Sequence, residues 1–144
     1  MKVIITIAVL LTVFIIVGAV MRRSIYREVD RLGLWKIELM NRPISDEISK
    51  MKSLQMVGEK RFEQWRSEWE RILSVELPDL EEMLIDAEEA SDKYRFRKAK
   101  QILKDVDKEL HAIEEKIETI LQEVNEWVRS EEESRLKIVT LQAE

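Results

Sequence analysis

The chain has 144 residues, of which 37% are charged and 45% are hydrophobic, and its formal net charge is −5. It contains no cysteine, one histidine, three glycines and two prolines, which excludes disulfide frameworks, thiolate metal sites, cysteine nucleophiles and glycine-rich phosphate loops. Few Gly and Pro residues beside abundant Glu, Lys, Leu and Ile are typical of long helices. The sequence therefore predicts an all-α fold with one domain at most.

The first predicted element is an apolar helix. Residues 3–21 carry no charged side chain. A helix over this run would be about 28 Å long, close to the roughly 30 Å hydrocarbon core of a bilayer. A cleaved signal peptide is the alternative, but the run is long for one and Arg22-Arg23 follow it at once. We therefore expect residues 1–23 to be a transmembrane anchor with its flanks.

The charges beside this run predict its orientation. Lys2 precedes it, whereas Arg22, Arg23 and Arg27 follow it. The positive-inside rule then places the N-terminus outside the cell and the body, residues 24–144, in the cytoplasm. Residues 22–42 have a net charge of +3, which suits anionic lipid headgroups of the bilayer. Residues 43–144 have a net charge of −9, which argues against nucleic acid as a partner.

Beyond the anchor, apolar residues recur in steps of three and four, which predicts several amphipathic helices. Their stripes are Ile25, Val29, Leu32, Trp35 and Leu39; Ile44, Ile48 and Met51; Phe62, Trp65, Trp69 and Ile72; and Leu80, Leu84 and Ala87.

Turns are predicted between these helices at four places: near 41–43, 58, 77–78 and 91–96. The first three depend on Pro43, Gly58 and Pro78. The fourth depends on a break in the apolar phase, where Ser91 and Asp92 are suitable N-caps for the helix that follows.

The last predicted helix has the most regular stripe. Its members are Ala99, Leu103, Val106, Leu110, Ile113, Ile117, Ile120, Val124 and Trp127. Alternating steps of four and three give a 3.5-residue repeat, which is typical of left-handed coiled-coil packing. The seam at 103–127 must be buried, so we expect an antiparallel helical bundle, formed either within the chain or with a second copy as a homo-oligomer.

The titratable side chains predict no catalytic, cofactor or metal site, and hence no enzyme. His111 lies near Asp107 and Glu115 and is expected to be a solvated polar position. Adjacent carboxylates such as Glu81-Glu82 point about 100° apart on a helix and cannot face each other across a pocket. The Phe62-Trp65-Trp69 stripe is expected to be core.

One basic and aromatic cluster is a candidate for binding a partner. It comprises Lys93, Tyr94, Arg95, Phe96, Arg97 and Lys98. Such interleaving can bind an acidic peptide or nucleic acid, of which nucleic acid is disfavoured by the acidic body. A turn would also expose these side chains to water, so a solvated turn and an acidic-peptide site remain open.

Several motifs occur in a particular order. Residues 25–32 (IYREVDRL) precede Trp35-Lys36-Ile37-Glu38 and Asn41-Arg42; Ser49-Lys50-Met51-Lys52 and 62–69 (FEQWRSEW) follow; and Asp86-Ala87-Glu88-Glu89 precedes Asp92-Lys93-Tyr94-Arg95-Phe96. In this order and spacing, as far as about Arg135, the chain resembles the septation ring formation regulators, the EzrA family.

The resemblance implies one transmembrane helix followed by a cytosolic rod of spectrin-like three-helix repeats. It implies a regulator of bacterial cell division at the septum that binds the tubulin-like protein FtsZ and other division proteins, restrains ring assembly and is not an enzyme. Members of the family are several times longer, so this chain would correspond to the anchor and about one repeat. The alternative is a generic membrane-tethered coiled-coil scaffold or stalk without FtsZ activity.

Overall fold

A computed structural model describes residues 1–44, 46, 48 and 59–143, which are mostly helical and contain no strand. The helices with defined bounds are α1 (Lys2–Met40), α2 (Glu59–Arg71), a π-helical segment (Ile72–Glu76), α3 (Leu77–Asp92) and α4 (Phe96–Ala143). The all-α prediction is therefore confirmed. The turn predicted near 58, and Met51 of the second stripe, lie outside the described residues.

α1 is an uninterrupted helix of 39 residues whose two halves differ in burial. In the first half, thirteen large apolar side chains between residues 3 and 20 are at least 50% exposed. In the second half, the predicted stripe is buried at Ile25, Val29, Leu32 and Leu39. By length and composition α1 could cross a membrane: its most apolar 18-residue window has a mean hydropathy of 3.1 and only 6% of that window is buried.

The turn predicted near 77–78 is wrong. The backbone stays helical from Glu59 to Asp92, and the π-helical segment ends two residues before Pro78. Its wider turn is closed by a hydrogen bond from the Leu77 amide to the Ile72 carbonyl, five residues back. Proline lacks an amide hydrogen and its ring crowds the carbonyl four residues earlier. A widened turn relieves that crowding, so the chain passes Pro78 without leaving the helix.

Within the described part of the chain, two turns interrupt the helices. The backbone turns at 41–43, where Ile44 donates its amide hydrogen to the Arg42 carbonyl at 2.8 Å. It turns again at 93–95, within the range 91–96 that the sequence indicates.

The chain divides into two compact units, of which the first comprises Met1–Glu38 and Pro78–Leu110. Polar contacts between side chains relate its helices. Tyr26 bonds to Asp92 at 2.8 Å and Lys36 pairs with Glu81 at 3.2 Å, so α1 runs antiparallel to α3. On α4, Asp107 pairs with Arg31 at 3.1 Å.

A buried apolar core fills the first unit. Its buried apolar side chains are Ile25, Val29 and Leu32 of α1; Leu80, Leu84, Ala87 and Ala90 of α3; and Ala99, Leu103, Val106 and Leu110 of α4. Each set recurs at helical spacing, so each helix presents one apolar face to this core.

The second unit comprises Leu39–Leu77 and His111–Glu144. The Trp65 indole donates to a carboxylate oxygen of Glu123 at 2.9 Å, and Lys116 pairs with Glu76 at 2.8 Å. The later residue of the first pair of elements, Glu76, thus contacts the earlier residue of α4, Lys116. α2 and the π-helical segment therefore run antiparallel to α4. The aromatic stripe of α2, Phe62, Trp65 and Trp69, is buried, as its assignment to the core predicts.

The regular stripe of α4 is buried from Ala99 to Val124, and Trp127 is partly buried. This burial occurs within a single chain, so the seam packs on the chain's own helices. Beyond Trp127 the helix continues to Ala143, and Leu136, Ile138, Val139 and Leu141 are exposed.

Candidate functional site

The turn between α3 and α4 is closed by backbone hydrogen bonds. The Arg95 amide donates to the Ala90 carbonyl at 2.8 Å, and the Tyr94 amide donates to the Ser91 carbonyl at 3.0 Å. These two bonds form a Schellman motif, the arrangement that commonly ends an α-helix. Ser91 and Asp92 therefore belong to the end of α3 and are not the N-caps of α4 that the sequence suggests.

Tyr94 occupies the position in this motif where glycine is usual. Its φ angle is 58°, and it is the non-glycine residue with positive φ in the described chain. A side chain in this left-handed region is strained, because its Cβ approaches the backbone. Gly18 of α1 lies beneath the ring: a Cβ built on Gly18 would be 3.6 Å from a ring carbon of Tyr94. The Tyr94 side chain nevertheless remains 63% exposed.

A polar cluster joins α1 to the end of α3 beside this ring. Asp92 accepts a hydrogen bond from the Tyr26 hydroxyl at 2.8 Å and pairs with the Arg22 guanidinium, also at 2.8 Å. The guanidinium lies 5.7 Å from the centre of the Tyr26 ring. The hydrogen bond to Asp92 raises the pKa of the Tyr26 phenol above its ordinary value, because it stabilises the protonated form.

These contacts border an open groove of about 450 Å³, which we call the Tyr94 groove. Its floor is formed by Phe14, Ile15, Gly18 and Ala19, all from the apolar half of α1. Its rim is formed by Arg22, Arg23, Tyr26 and Tyr94. The groove therefore combines an apolar floor with a cationic and phenolic rim.

The structure brings together two groups of residues that the sequence treats separately. Arg22 and Arg23, predicted to flank the membrane, line the same groove as Tyr94 of the basic and aromatic cluster. The remaining basic members of that cluster, Lys93, Arg95, Arg97 and Lys98, are exposed.

Two further members of the predicted groups do not line the groove. Phe96 is partly buried and meets the Tyr94 ring edge to face, with ring centres 5.9 Å apart. Arg27, the third predicted membrane-flanking residue, is exposed on α1.

His111, the other side chain considered from sequence, is exposed on α4. Among the residues whose placement is described, no group of three or more carboxylate or histidine side chains is arranged to hold a metal ion.

Comparison with known proteins identifies the family. Residues 3–144 match the family model described as septation ring formation regulator, EzrA. The chain belongs to the EzrA family. It is 45% identical over 143 residues to the septation ring formation regulator EzrA of Geobacillus sp. (strain WCH70), a match covering 98% of this chain and 25% of that protein.

Other EzrA proteins match to a similar degree. Identity is 49% over 140 residues with the Bacillus velezensis protein, covering 96% of this chain and 25% of the relative. It is 47% over 126 residues with the Bacillus subtilis (strain 168) protein, covering 86% and 22%. The chain thus spans about a quarter of the length of these EzrA relatives. No solved structure matches the chain significantly.

Three residues that build the site in this EzrA-family chain are not assigned to it in the sequence analysis. Tyr26 and Asp92 are ordinary members of separate helices, and nothing local indicates that they meet. Gly18 carries a usable signal, because it is a glycine inside an otherwise apolar helix, four residues before the first arginine. Glycine in such a place often marks a close approach by another part of the chain.

Proposed function

We propose that the chain is a membrane-anchored regulator of bacterial cell division that binds FtsZ and restrains septal ring assembly. The observation that carries this proposal is the match to the EzrA family over residues 3–144. The relatives are named septation ring formation regulators, so the division machinery supplies the partners and the septum is the site of action. We assign it no catalytic role, since such a regulator acts by contact.

Exposure of the first half of α1 supports the anchor. Thirteen large apolar side chains there remain at least half exposed, including Ile4 at 72% and Phe14 at 68%. Contiguous apolar surface of this extent is unfavourable in water and is typical of a membrane-embedded segment. Because α1 continues without a break to Met40, the anchor would lead directly into the half of α1 whose apolar stripe is buried.

Orientation follows from the arginines after the apolar run. Arg22, Arg23 and Arg27 are exposed at its end, where they can meet lipid headgroups or cytoplasmic water. Cytoplasmic flanks of membrane helices are enriched in such residues. The proposal therefore places the body of the chain in the cytoplasm, where it can reach FtsZ.

The alternative, a tethered stalk built from one extended helix, lacks support in the contacts of the body. In the first unit Lys36 pairs with Glu81, and in the second Trp65 bonds to Glu123. Both contacts require the chain to fold back on itself, which an extended stalk does not do.

Reconstitution with FtsZ tests the proposal. The full chain is inserted in phospholipid vesicles, purified FtsZ and GTP are added, and flotation and light scattering are measured. We expect FtsZ to float with the vesicles and its polymer mass to fall relative to empty vesicles. If the chain floats while FtsZ stays in solution and polymerises as it does with empty vesicles, FtsZ regulation by this chain is wrong.

A folding control separates a specific effect from a vesicle effect. Ile117 is fully buried in the seam of α4, so Ile117→Lys would place a charge in the core. We expect this variant to lose the effect on FtsZ while still floating with the vesicles. Retention of the effect by Ile117→Lys would show that the folded bundle is not its source.

A further inference from the structure

We infer that the Tyr94 groove binds the headgroup and upper acyl region of an anionic phospholipid, and that the basic turn at 93–98 docks on the bilayer surface. This inference rests on the membrane anchor of the proposed function and does not depend on FtsZ. It assigns the cluster 93–98 to a lipid surface, whereas the sequence leaves a solvated turn and an acidic-peptide site open.

The position of the groove along α1 favours a lipid ligand. Gly18 lies four residues before Arg22, a distance of about 6 Å along a helix axis. The floor of the groove therefore belongs to the apolar run, and its rim coincides with the first charged residues. An anchor of this length places that transition at the boundary between acyl chains and headgroups.

The charge of the groove and of the turn favours an anionic lipid. Arg22 is held by Asp92, which fixes its guanidinium at the rim, and Arg23 is exposed beside it. Between residues 92 and 100 there is one acidic side chain, Asp92, and five basic ones, all exposed. Juxtamembrane clusters of this kind are attracted to anionic leaflets.

The identity and exposure of Tyr94 also favour a lipid interface. A glycine at this position would form the same turn without strain, yet a tyrosine stands there with a φ of 58°. The ring contacts α1 at Gly18 with one edge and leaves 63% of the side chain exposed. Tyrosine is enriched where membrane helices meet water, because its ring is apolar and its hydroxyl is polar. A lipid interface therefore suits the exposed ring.

The same position along α1 disfavours an acidic peptide as the occupant of the groove. In an anchored chain Phe14 and Ile15 lie inside the bilayer, so a soluble peptide cannot reach the floor that they form. A phospholipid reaches it without leaving the membrane, with its phosphate at Arg23 and its first methylene groups along Ala19.

A unique fluorescent label tests the inference, because the chain has no cysteine. Lys93→Cys, in the turn, is labelled with an environment-sensitive dye. Lys108→Cys is the matched control, because Lys108 is also exposed and lies about 18 Å along α4 from its first residue, Phe96. The full-length chains are reconstituted in vesicles of phosphatidylcholine alone or mixed with phosphatidylglycerol. Both vesicle types carry equal amounts of a nitroxide on the phosphatidylcholine headgroup.

We expect quenching at position 93 to be several-fold stronger in the anionic vesicles, to fall at high salt, and to exceed quenching at position 108. In the chain labelled at 93, Arg95→Glu with Arg97→Glu should abolish the difference between the two lipids. Lys104→Glu with Lys108→Glu, which changes the net charge equally, should leave the difference in place.

Several outcomes would overturn the inference. One is equal quenching at position 93 in both vesicle types while the chain floats with the lipid; the anchor then stands and the anionic site does not. Another is a dye response to soluble poly-glutamate, with the chain in neutral vesicles, that equals the response to anionic lipid. That result would favour an acidic peptide as the partner of the turn. Failure of the chain to float would reject the lipid site together with the anchor, whereas a chain that docks on anionic lipid but ignores FtsZ would reject only the regulatory proposal.

Discussion

The phenol of Tyr26 donates a hydrogen bond to Asp92 across 66 positions of the sequence, and this contact ties α1 to the last residue of α3. Because the bond favours the protonated phenol, the pKa of Tyr26 is raised in the folded chain above its ordinary value of 10.0. A group with a raised folded pKa stabilises the fold fully below its unfolded pKa and loses this contribution as the pH rises through the folded pKa.

The first prediction is therefore an alkaline loss of stability that depends on Tyr26. In detergent micelles, the thermal midpoint of the unaltered chain should fall as the pH rises above 10, the ordinary value of the phenol. Tyr26→Phe should start from a lower midpoint below that pH and lose less above it. Tyr94→Phe is the control, because it leaves the contact between Tyr26 and Asp92 in place and should retain the loss. Parallel curves for the unaltered chain and Tyr26→Phe would contradict the prediction.

The second prediction concerns Gly33, which lies in the interior of α1 with no atom within 4 Å of a Cβ built on it. Its φ is not positive, so alanine can adopt the same backbone. Alanine is favoured over glycine in a helix interior by about 0.8–1.0 kcal/mol. Gly33→Ala should therefore raise the free energy of unfolding by about 0.5–1 kcal/mol, measured by denaturant titration. A decrease would show that the helix is not regular at this residue.

How much the sequence predicts depends on whether a feature is local. The periodic stripe from Ala99 to Val124 correctly indicates a helix and its buried face, since both follow from residues three and four apart. Pro78 misleads, because a proline that breaks a helix and a proline that a π-helical turn accommodates are alike in a single sequence. The site requires contacts between distant residues, such as Tyr26 with Asp92, and local pattern contains no information about which helices become neighbours.

The turn at Tyr94 is predicted from the sequence, but the conformation of Tyr94 is not. Its turn is predicted from a phase break, but a left-handed tyrosine is not, because glycine or asparagine is the residue that usually indicates that conformation. The ring lies over Gly18, which is far away in the chain. Sequence pattern finds the turn, and only the tertiary structure explains its residue.

The third prediction compares two substitutions of Tyr94. Tyr94→Ala removes the ring but keeps a Cβ in the left-handed region, whereas Tyr94→Gly removes both. The glycine variant should be more stable than the alanine variant by about 1 kcal/mol, because a Cβ in this region costs about 1–2 kcal/mol. Denaturant titrations of the two variants measure the difference. Equal stabilities would mean that the turn relaxes to another conformation once the ring is lost.

The fourth prediction tests the contact between Gly18 and Tyr94. A Cβ on Gly18 would lie 3.6 Å from the ring, an ordinary van der Waals distance, so Gly18→Ala should leave the turn unchanged. Gly18→Leu would occupy the position of the ring and displace it. We expect faster trypsin cleavage at Lys93 and Arg95 in the leucine variant, measured by mass spectrometry in micelles. Gly33→Leu is the matched control, and equal cleavage in both leucine variants would contradict the contact.

The fifth prediction concerns Trp65, which is 3% exposed and donates its indole hydrogen to Glu123 at 2.9 Å. Trp65→Phe keeps most of the buried apolar area but removes the hydrogen-bond donor. We therefore expect the free energy of unfolding to fall by about 1 kcal/mol. Trp65→Ala also leaves a cavity, so it should lower the free energy of unfolding by about 3–5 kcal/mol.

A double-mutant cycle with Glu123→Ala distinguishes the hydrogen bond from packing. If α2 and α4 are antiparallel neighbours in the second unit, the coupling between Trp65→Phe and Glu123→Ala should be about 0.5–1.5 kcal/mol. Glu126, exposed on the same helix, provides the control, because Glu126→Ala should add independently to Trp65→Phe. Zero coupling with Glu123 would mean that the two helices are not paired at this register, and would revive the stalk alternative that this contact disfavours.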